Sequence, residues 1–205
     1  MLHVPNEPVR FVTASSLFDG HDASINIMRR ILQSQGAEVV HLGHNRSVRE
    51  VVDAAVEEDV QGVAVSSYQG GHVEYFEYLV ESLRKAGAKS VKVFGGGGGV
   101  IIPAEIARLR ESGVTIFSPE DGQKLGLAGM VNTMIRDCDW SPWAEQPVDT
   151  AAVLSGEKSA VGRAITGAER GVLPMEELRE AAGKRQVPVL GITGTGGSGK
   201  SSLTD

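Results

Sequence analysis

The sequence contains a single cysteine, Cys138, among 205 residues. One thiol excludes a disulfide framework and a cluster of thiolate metal ligands. No apolar run approaches the roughly 20 residues that a helix needs to span a bilayer, and residues 1–10 carry no apolar segment of the signal-peptide type. These absences predict a cytoplasmic protein that has no membrane partner.

Aromatic residues are also scarce, at 5% of the chain, whereas apolar residues as a whole make up 41%. This composition predicts a packed, mainly aliphatic core and excludes a disordered chain. The net charge of −6 argues against a nucleic-acid partner, because proteins that bind nucleic acids present an excess of basic side chains to the phosphates.

Residues 9–137 alternate short apolar runs with amphipathic runs. The apolar runs are typical of buried parallel strands, which we predict at residues 9–14, 38–42, 62–66, 90–94 and 115–117. The amphipathic runs predict helices at residues 25–35, 48–58, 73–86, 103–112 and 123–135. Five such units predict an α/β fold, a doubly wound five-stranded parallel sheet with the flavodoxin-like strand order 2-1-3-4-5.

Unusual residues follow four of the predicted strands. Asp19 and His21 follow the first, and residues 66–72 include two serines and a histidine after the third. Residues 95–99 are five consecutive glycines after the fourth, and residues 118–122 follow the fifth. Ligands of doubly wound sheets bind at the carboxyl ends of the strands, where the strand order reverses. We therefore predict a binding site at this edge, with glycines that let the backbone approach a flat or extended ligand.

Asp19 precedes His21 by two residues in the first loop. A carboxylate at this spacing can accept the proton of one ring nitrogen, which selects the tautomer and leaves the other nitrogen free to bind a metal. Asp-Gly pairs also occur in ordinary turns, so the spacing indicates a metal ligand only in combination with the neighbouring loops.

A phosphate-binding pattern stands near the end of the sequence. Residues 187–192 are predicted to form a strand, and residues 194–201 after it match G-x-x-x-x-G-K-[ST]. In such a loop Lys200 bridges the β- and γ-phosphates and Ser201 holds Mg²⁺. The predicted nucleotide-binding residues are Gly194, Gly196, Gly197, Ser198, Gly199, Lys200, Ser201 and Ser202.

The position of this pattern suggests a division of the chain. We expect residues 1–138 to form the first domain, residues 139–186 a partly helical linker, and residues 187–205 the start of a P-loop domain. Since the sequence stops within the helix that should follow the loop, we expect the chain to be a piece of a longer protein.

Residues 9–137 resemble the cobalamin-binding domain of adenosylcobalamin-dependent acyl-CoA mutases. The signature of that family is D-x-H-x-x-G, then S-x-L, then G-G. It is matched here by residues 19–24, 66–68 and 98–99, with Ser24 and Tyr68 in place of the usual glycine and leucine. The resemblance implies base-off cobalamin, with His21 as the lower axial ligand of cobalt and the dimethylbenzimidazole tail in a slot beside the sheet. The implied cofactor-binding residues are Asp19, Gly20, His21, Asp22, Ser66, Tyr68, Gly70, Gly98, Gly99, Phe117 and Ser118.

The order of cobalamin domain and P-loop is similar to that of the fused mutases that interconvert isobutyryl-CoA and n-butyryl-CoA. In these a cobalamin domain, a GTPase chaperone domain and a substrate barrel share one chain. The resemblance implies adenosylcobalamin, GTP and Mg²⁺ as cofactors, an acyl-CoA substrate held by the barrel, and a homodimer of the full-length protein. The radical chemistry is implied to belong to the barrel, so we expect this chain to bind cobalamin without turning over substrate.

Other interpretations remain open. The same kind of domain can serve as a regulatory or methyl-carrier module, although neither use requires a phosphate-binding loop after it. A flavodoxin-like FMN carrier would hold the FMN phosphate with residues 13–16, although the low aromatic content disfavours flavin stacking. The other histidines, His3, His41, His44 and His72, are predicted to be surface or loop residues, and His72 alone lies near the predicted site.

Overall fold

The computed structural model describes residues 2–145, 147–184, 186 and 188–204. They belong to two units, of which the first ends at Leu173 and the second begins at Pro174. Within these described ranges no helix combines the length and the apolar character that a membrane crossing requires.

A five-stranded sheet occupies the first unit, and all of its strands run parallel. The strand order is β2-β1-β3-β4-β5, which confirms the predicted topology. The strands are β1 (Arg10–Ser16), β2 (Glu38–Arg46), β3 (Gly62–Ser66), β4 (Lys92–Gly96) and β5 (Val114–Ile116).

Helices connect the strands and cover both faces of the sheet. Those of the sheet region are α1 (Ala23–Ser34), α2 (Val48–Glu57), α3 (His72–Lys85), α4 (Pro103–Glu111) and α5 (Pro119–Asp137), and a 3₁₀ turn spans Gly98–Val100. All five predicted helices are confirmed. The largest difference concerns α5, which begins four residues before the predicted start.

Alternating side chains of the strands supply two cores. On β1, Val12 packs into a mainly aliphatic core with residues of α2, α3 and α4, such as Leu79. The neighbouring Phe11 points to the opposite face, where it packs with residues of α1 and α5, such as Leu32 and Ile135. Because successive strand residues face opposite sides, a strand with helices on both sides is apolar along its whole length.

The start of α5 is determined by a reciprocal cap. The Ser118 hydroxyl accepts a hydrogen bond from the Asp121 backbone N–H, and the Asp121 carboxylate accepts one from the Ser118 N–H. This cap begins the helix upstream of the apolar pattern on which the prediction rested. Gly126, with φ at +65°, then interrupts the helix, so its apolar face is continuous only in the second half.

Three helices extend the first unit beyond residue 138, where the sequence placed the domain boundary. They are α6 (Pro142–Glu145), α7 (Thr150–Ser155) and α8 (Lys158–Glu169). A side chain at Gly162 of α8 would place its Cβ 2.5 Å from the Glu57 carbonyl oxygen at the end of α2, so α8 and α2 approach closely. Part of the predicted linker is therefore packed against the sheet domain.

A buried ion pair attaches α8 to the turn after α2. Arg163 donates to one carboxylate oxygen of Asp59 through Nε at 2.9 Å and Nη2 at 2.8 Å. Only 5% of the Asp59 side chain is exposed. Such a pair resists separation, because removing one partner leaves the other charge desolvated and uncompensated.

The described part of the second unit contains two helices, α9 (Met175–Gly183) and α10 (Lys200–Thr204). The strand predicted at residues 187–192 is wrong for residues 188–192, which form no regular structure, and Val187 lies outside the described residues. Val189 and Leu190 are almost fully exposed. A strand needs a neighbouring strand for its backbone hydrogen bonds, and the described part of this unit offers no strand with which residues 188–192 could pair.

Gly62 offers a test of the packing between β3 and β1. Its Cβ in an alanine variant would lie 2.2 Å from Cε1 of Phe11 and 2.9 Å from the Cys138 sulfur. We expect Gly62→Ala to lower the free energy of unfolding by about 1–3 kcal/mol, the usual effect of overpacking. The matched control is Gly122→Ala in α5, where the nearest atom is the Met130 sulfur at 3.8 Å. Equal urea midpoints for the two variants would contradict the close packing at Gly62.

Arg163 offers a test of the helical extension. We expect Arg163→Ala to destabilise the first unit by about 3 kcal/mol, because Asp59 then keeps a buried charge without its partner. Fluorescence of Trp140 and Trp143, which belong to the extension, would report the unfolding in urea. The control is Arg136→Ala, which removes an exposed ion pair with Asp137 and should change the stability by less than about 0.5 kcal/mol. An equally small effect at Arg163 would show that the pair does not hold α8.

Candidate functional site

The loops after β1 and β3 meet at a single buried carboxylate, that of Asp19. Its Oδ1 accepts hydrogen bonds from the backbone N–H and from Nδ1 of His21, both at 2.8 Å. Its Oδ2 accepts the backbone N–H of Tyr68 at 2.6 Å. The predicted pairing of Asp19 with His21 is present, and the same carboxylate also fixes the third loop.

Electrostatics favour the charged form of this carboxylate. Burial alone would raise the pKa of Asp19, but the N–H groups of Tyr68 and His21 and the His21 side chain together lower it below its ordinary value. A carboxylate without a proton can only accept, so Nδ1 of His21 carries the proton of this hydrogen bond. The imidazole is therefore held in the tautomer whose Nε2 has a free lone pair.

The His21 ring itself stands at the surface. Its side chain is 70% exposed, whereas that of Asp19 is fully buried. No hydrogen bond from the described residues reaches Nε2, and its ring lies 5.8 Å from the ring of Tyr68. The described residues contain no group of three or more acidic, cysteine or histidine side chains that could hold a metal ion. His21 is thus suited to be a single protein ligand to a metal that brings its other ligands with it.

A cavity of about 380 Å³ opens at the carboxyl edge of the sheet, and Tyr68, whose ring lies 5.8 Å from the imidazole, is one of its lining residues. It lies between the sheet and the helices α1 and α5, and its walls are mostly apolar. Among the residues that line it are Ile25, Met28, Ala64, Phe94, Phe117, Met130 and Met134. Hydroxyl groups are contributed by Ser24, Ser66, Tyr68 and Ser118.

Glycines of the fourth loop line this cavity and pack closely against the loop after β3. A Cβ on Gly97 would lie 1.9 Å from the Ser67 carbonyl oxygen, so this position accepts no side chain. Gly98, at φ +57°, has the left-handed conformation that favours glycine. The Ser67 N–H donates to the Gly96 carbonyl at 2.8 Å, which joins the loops after β3 and β4. The backbone therefore forms part of the cavity wall.

The serines at the end of β1 are occupied by cross-strand contacts. Ser15 and Ser66 share a hydrogen bond of 3.0 Å between their hydroxyls, and Ser16 donates to the Ser67 hydroxyl at 2.8 Å. Thr13 is similarly paired with His41 at 2.9 Å. Residues 13–16 belong to the buried strand rather than to a loop. This arrangement disfavours the FMN interpretation, which required them to surround a phosphate.

The structure brings together seven of the eleven predicted cofactor-binding residues. Asp19 and His21 form the imidazole pair, and the cavity is lined by Ser66, Tyr68, Gly98, Phe117 and Ser118. The other four, Gly20, Asp22, Gly70 and Gly99, do not line the cavity. Of these, Asp22 is the N-cap residue that directly precedes α1.

His72 was predicted to be a surface or loop residue, and this is wrong. It is the first residue of α3, its side chain is 8% exposed, and its Nε2 lies 3.0 Å from Oε2 of Glu105. Its Nδ1 lies 3.1 Å from the Gln69 carbonyl oxygen, and Glu105 also accepts the Ile102 N–H. The pair joins the starts of α3 and α4. An acidic residue three positions after Ile102 is typical of a helix start, which is the signal in the sequence that could have located Glu105.

The predicted nucleotide-binding residues form a turn followed by α10, in the second unit. Gly197 and Gly199 have positive φ angles, which other residues adopt only with strain. Lys200 donates from Nζ to the carbonyl oxygens of Gly194 at 2.9 Å and Thr195 at 2.7 Å. The lysine thus folds over the loop, and the assignment of these residues to a nucleotide stays a prediction.

Comparison with known proteins identifies the family. Residues 9–141 match the model of the B12 binding domain. The chain is 69% identical, over its whole length, to 19% of a fused isobutyryl-CoA mutase of Nocardia farcinica. Over 62% of this chain it is 33% identical to 93% of the 2-hydroxyisobutanoyl-CoA mutase small subunit of Aquincola tertiaricarbonis.

A solved structure agrees with the sequence comparisons. A cobalamin-binding protein from Desulfitobacterium hafniense superposes with a TM-score of 0.53 and 25% identity, over 64% of this chain and 60% of that one. The chain spans about a fifth of the length of the fused mutases to which it is similar. The matched family model covers the sheet and the whole candidate site, and the chain therefore belongs to the family of B12-binding domains.

Proposed function

We propose that the chain binds adenosylcobalamin in its base-off form, with Nε2 of His21 as the lower axial ligand of cobalt. The observation that carries this proposal is the hydrogen bond from Nδ1 of His21 to Asp19. It orients the exposed ring, selects the metal-binding tautomer and increases the basicity of Nε2. Cobalt within a corrin has four equatorial nitrogen ligands, so one protein ligand is sufficient.

The cavity supports the second part of the proposal, that it takes the nucleotide tail of the cofactor. Its volume of about 380 Å³ and its apolar walls suit a planar aromatic base. Small residues and bare backbone on the β4 side admit a flat ring without displacing a side chain. The hydroxyl of Ser66 lines the cavity and could hydrogen-bond a ring nitrogen of the base in exchange for its present bond to Ser15.

Adenosylcobalamin supplies radical chemistry when it is bound, and this chain supplies binding and orientation. Asp19 and His21, in the loop after β1, would hold the cofactor at its cobalt. The cavity, which the loops after β3 and β4 help to line, would hold the tail. None of the residues at this site is proposed to act on a substrate.

For the longer protein we propose an acyl-CoA mutase that interconverts isobutyryl-CoA and n-butyryl-CoA. The support is the similarity, along the whole chain, to relatives named fused isobutyryl-CoA mutase. The acyl-CoA substrate would bind to a barrel domain, and GTP with Mg²⁺ would bind to a domain that includes Lys200 and Ser201. We also propose that the longer protein forms a homodimer and is located in the cytoplasm. A regulatory or methyl-carrier module is the alternative, and the similarity along residues 142–205 favours the mutase.

His21→Ala tests the cobalt ligand. We expect the variant to lose the protein nitrogen from cobalt, which is read in the EPR spectrum of the Co(II) form of bound cobalamin. In ¹⁵N-labelled protein, a histidine ligand splits each cobalt line into a doublet, whereas the unlabelled tail base gives a triplet. The control is His44→Ala, which removes an exposed histidine at the end of β2 and should keep the doublet. A doublet that persists in His21→Ala would refute the assignment.

Asp19→Ala tests the orientation of the imidazole. We expect the affinity for adenosylcobalamin, measured by absorbance titration, to fall about 10- to 100-fold, the typical loss for a residue that orients a metal ligand. Circular dichroism would establish that the sheet domain is still folded. If folded Asp19→Ala binds as tightly as the unsubstituted chain, the carboxylate does not prepare His21 for the metal.

A further inference from the structure

Two hydroxyl groups form a bridge between opposite walls of the cavity. Ser24 lies in the first turn of α1, Tyr68 follows β3, and their oxygens are 2.7 Å apart. Both residues line the cavity. Neither hydroxyl has another hydrogen bond among the described residues, so each depends on the other. We call this pair the Ser24–Tyr68 bridge.

Tyr68 connects the cavity with the loop that carries His21. The Tyr68 backbone N–H is held by Asp19 at 2.6 Å, and its ring is 5.8 Å from the imidazole. On the other side the ring reaches the fourth loop, since a Cβ on Gly98 would lie 3.3 Å from Cε1 of Tyr68. The Tyr68 ring therefore lies between the imidazole and the fourth loop.

The other two hydroxyls that line the cavity have partners in their own secondary structure. Ser66 pairs with Ser15 across the strands, and Ser118 caps α5 through the Asp121 N–H. The Ser24–Tyr68 bridge is different, because it joins two elements only across the cavity. Breaking the bridge disturbs neither a helix cap nor a strand pair. Of the three hydroxyl contacts described here, it is therefore the one that can open most readily.

We propose that the Ser24–Tyr68 bridge is a gate that responds to the nucleotide tail of a corrinoid. The inference rests on the proposed cobalamin function and adds a determinant of specificity to it. A corrinoid with a tail has to separate the two hydroxyls before its base passes from the imidazole side into the cavity. A corrinoid without a tail meets only His21 and leaves the bridge intact.

The two hydroxyls therefore control the entry of the nucleotide tail into the cavity. Removing either hydroxyl should change the binding only of corrinoids that have a tail. Tyr68→Phe keeps the aromatic ring against His21 and Gly98 but removes the bond to Ser24. Ser24→Ala removes the same bond from the other side. We expect each variant to raise the association rate constant of adenosylcobalamin about two- to tenfold, the range that corresponds to the net value of one neutral hydrogen bond.

The experiment is stopped-flow absorbance with the 205-residue chain and two ligands, adenosylcobalamin and adenosylcobinamide, which lacks the nucleotide tail. The double variant should be no faster than either single variant, because both remove one and the same bond. Adenosylcobinamide should bind all variants at the rate of the unsubstituted chain. Tyr78→Phe is the control, since it removes an exposed tyrosine hydroxyl on α3, away from the cavity.

Three results would overturn the gate: unchanged cobalamin rates in Tyr68→Phe and Ser24→Ala, equal acceleration with adenosylcobinamide, or additive effects in the double variant. Each of them leaves the cobalamin function standing if the unsubstituted chain binds adenosylcobalamin with a histidine-ligated cobalt. Absence of binding to the unsubstituted chain would instead refute the proposed function, and the gate with it.

Discussion

The Asp19 carboxylate is the interaction on which the site depends. It is fully buried, and it is stabilised there by N–H groups of two loops and by the His21 ring. The Asp19 carbonyl also accepts the Asn45 N–H, which attaches the end of β2 to the same point. A buried charge is tolerated only with such compensation, so the position of the imidazole follows from the folding of the surrounding loops.

The second constraint is the close approach of backbone at the β3 and β4 loops. Gly97 lies against the Ser67 carbonyl, where a side chain has no room. The backbone of these loops forms part of the wall of the apolar cavity, and Tyr68, which also lines it, lies 5.8 Å from the exposed His21 ring. One edge of the sheet thus combines an exposed imidazole with a sheltered apolar space, which is the arrangement that the proposed cofactor, with its tail, requires.

Prediction succeeded where the physical signal is local or periodic. Buried parallel strands are short and apolar, so the five strands and their order could be recognised before the structure was known. The strand predicted at residues 187–192 failed for its described part, because an apolar run becomes a strand only when another strand pairs with it. The burial of His72 was missed for a related reason, since its partner Glu105 lies 33 residues away.

The sequence by itself determined the strand order, the edge at which the unusual loops meet and the Asp19–His21 spacing, because these follow from periodicity and from neighbouring residues. Only the tertiary structure decided that Ser24 and Tyr68 touch across the cavity, that His72 is buried, and that α8 packs on α2. The reason is physical: Ser24 and Tyr68 are 44 residues apart, and their contact exists only after the sheet has brought the two loops together.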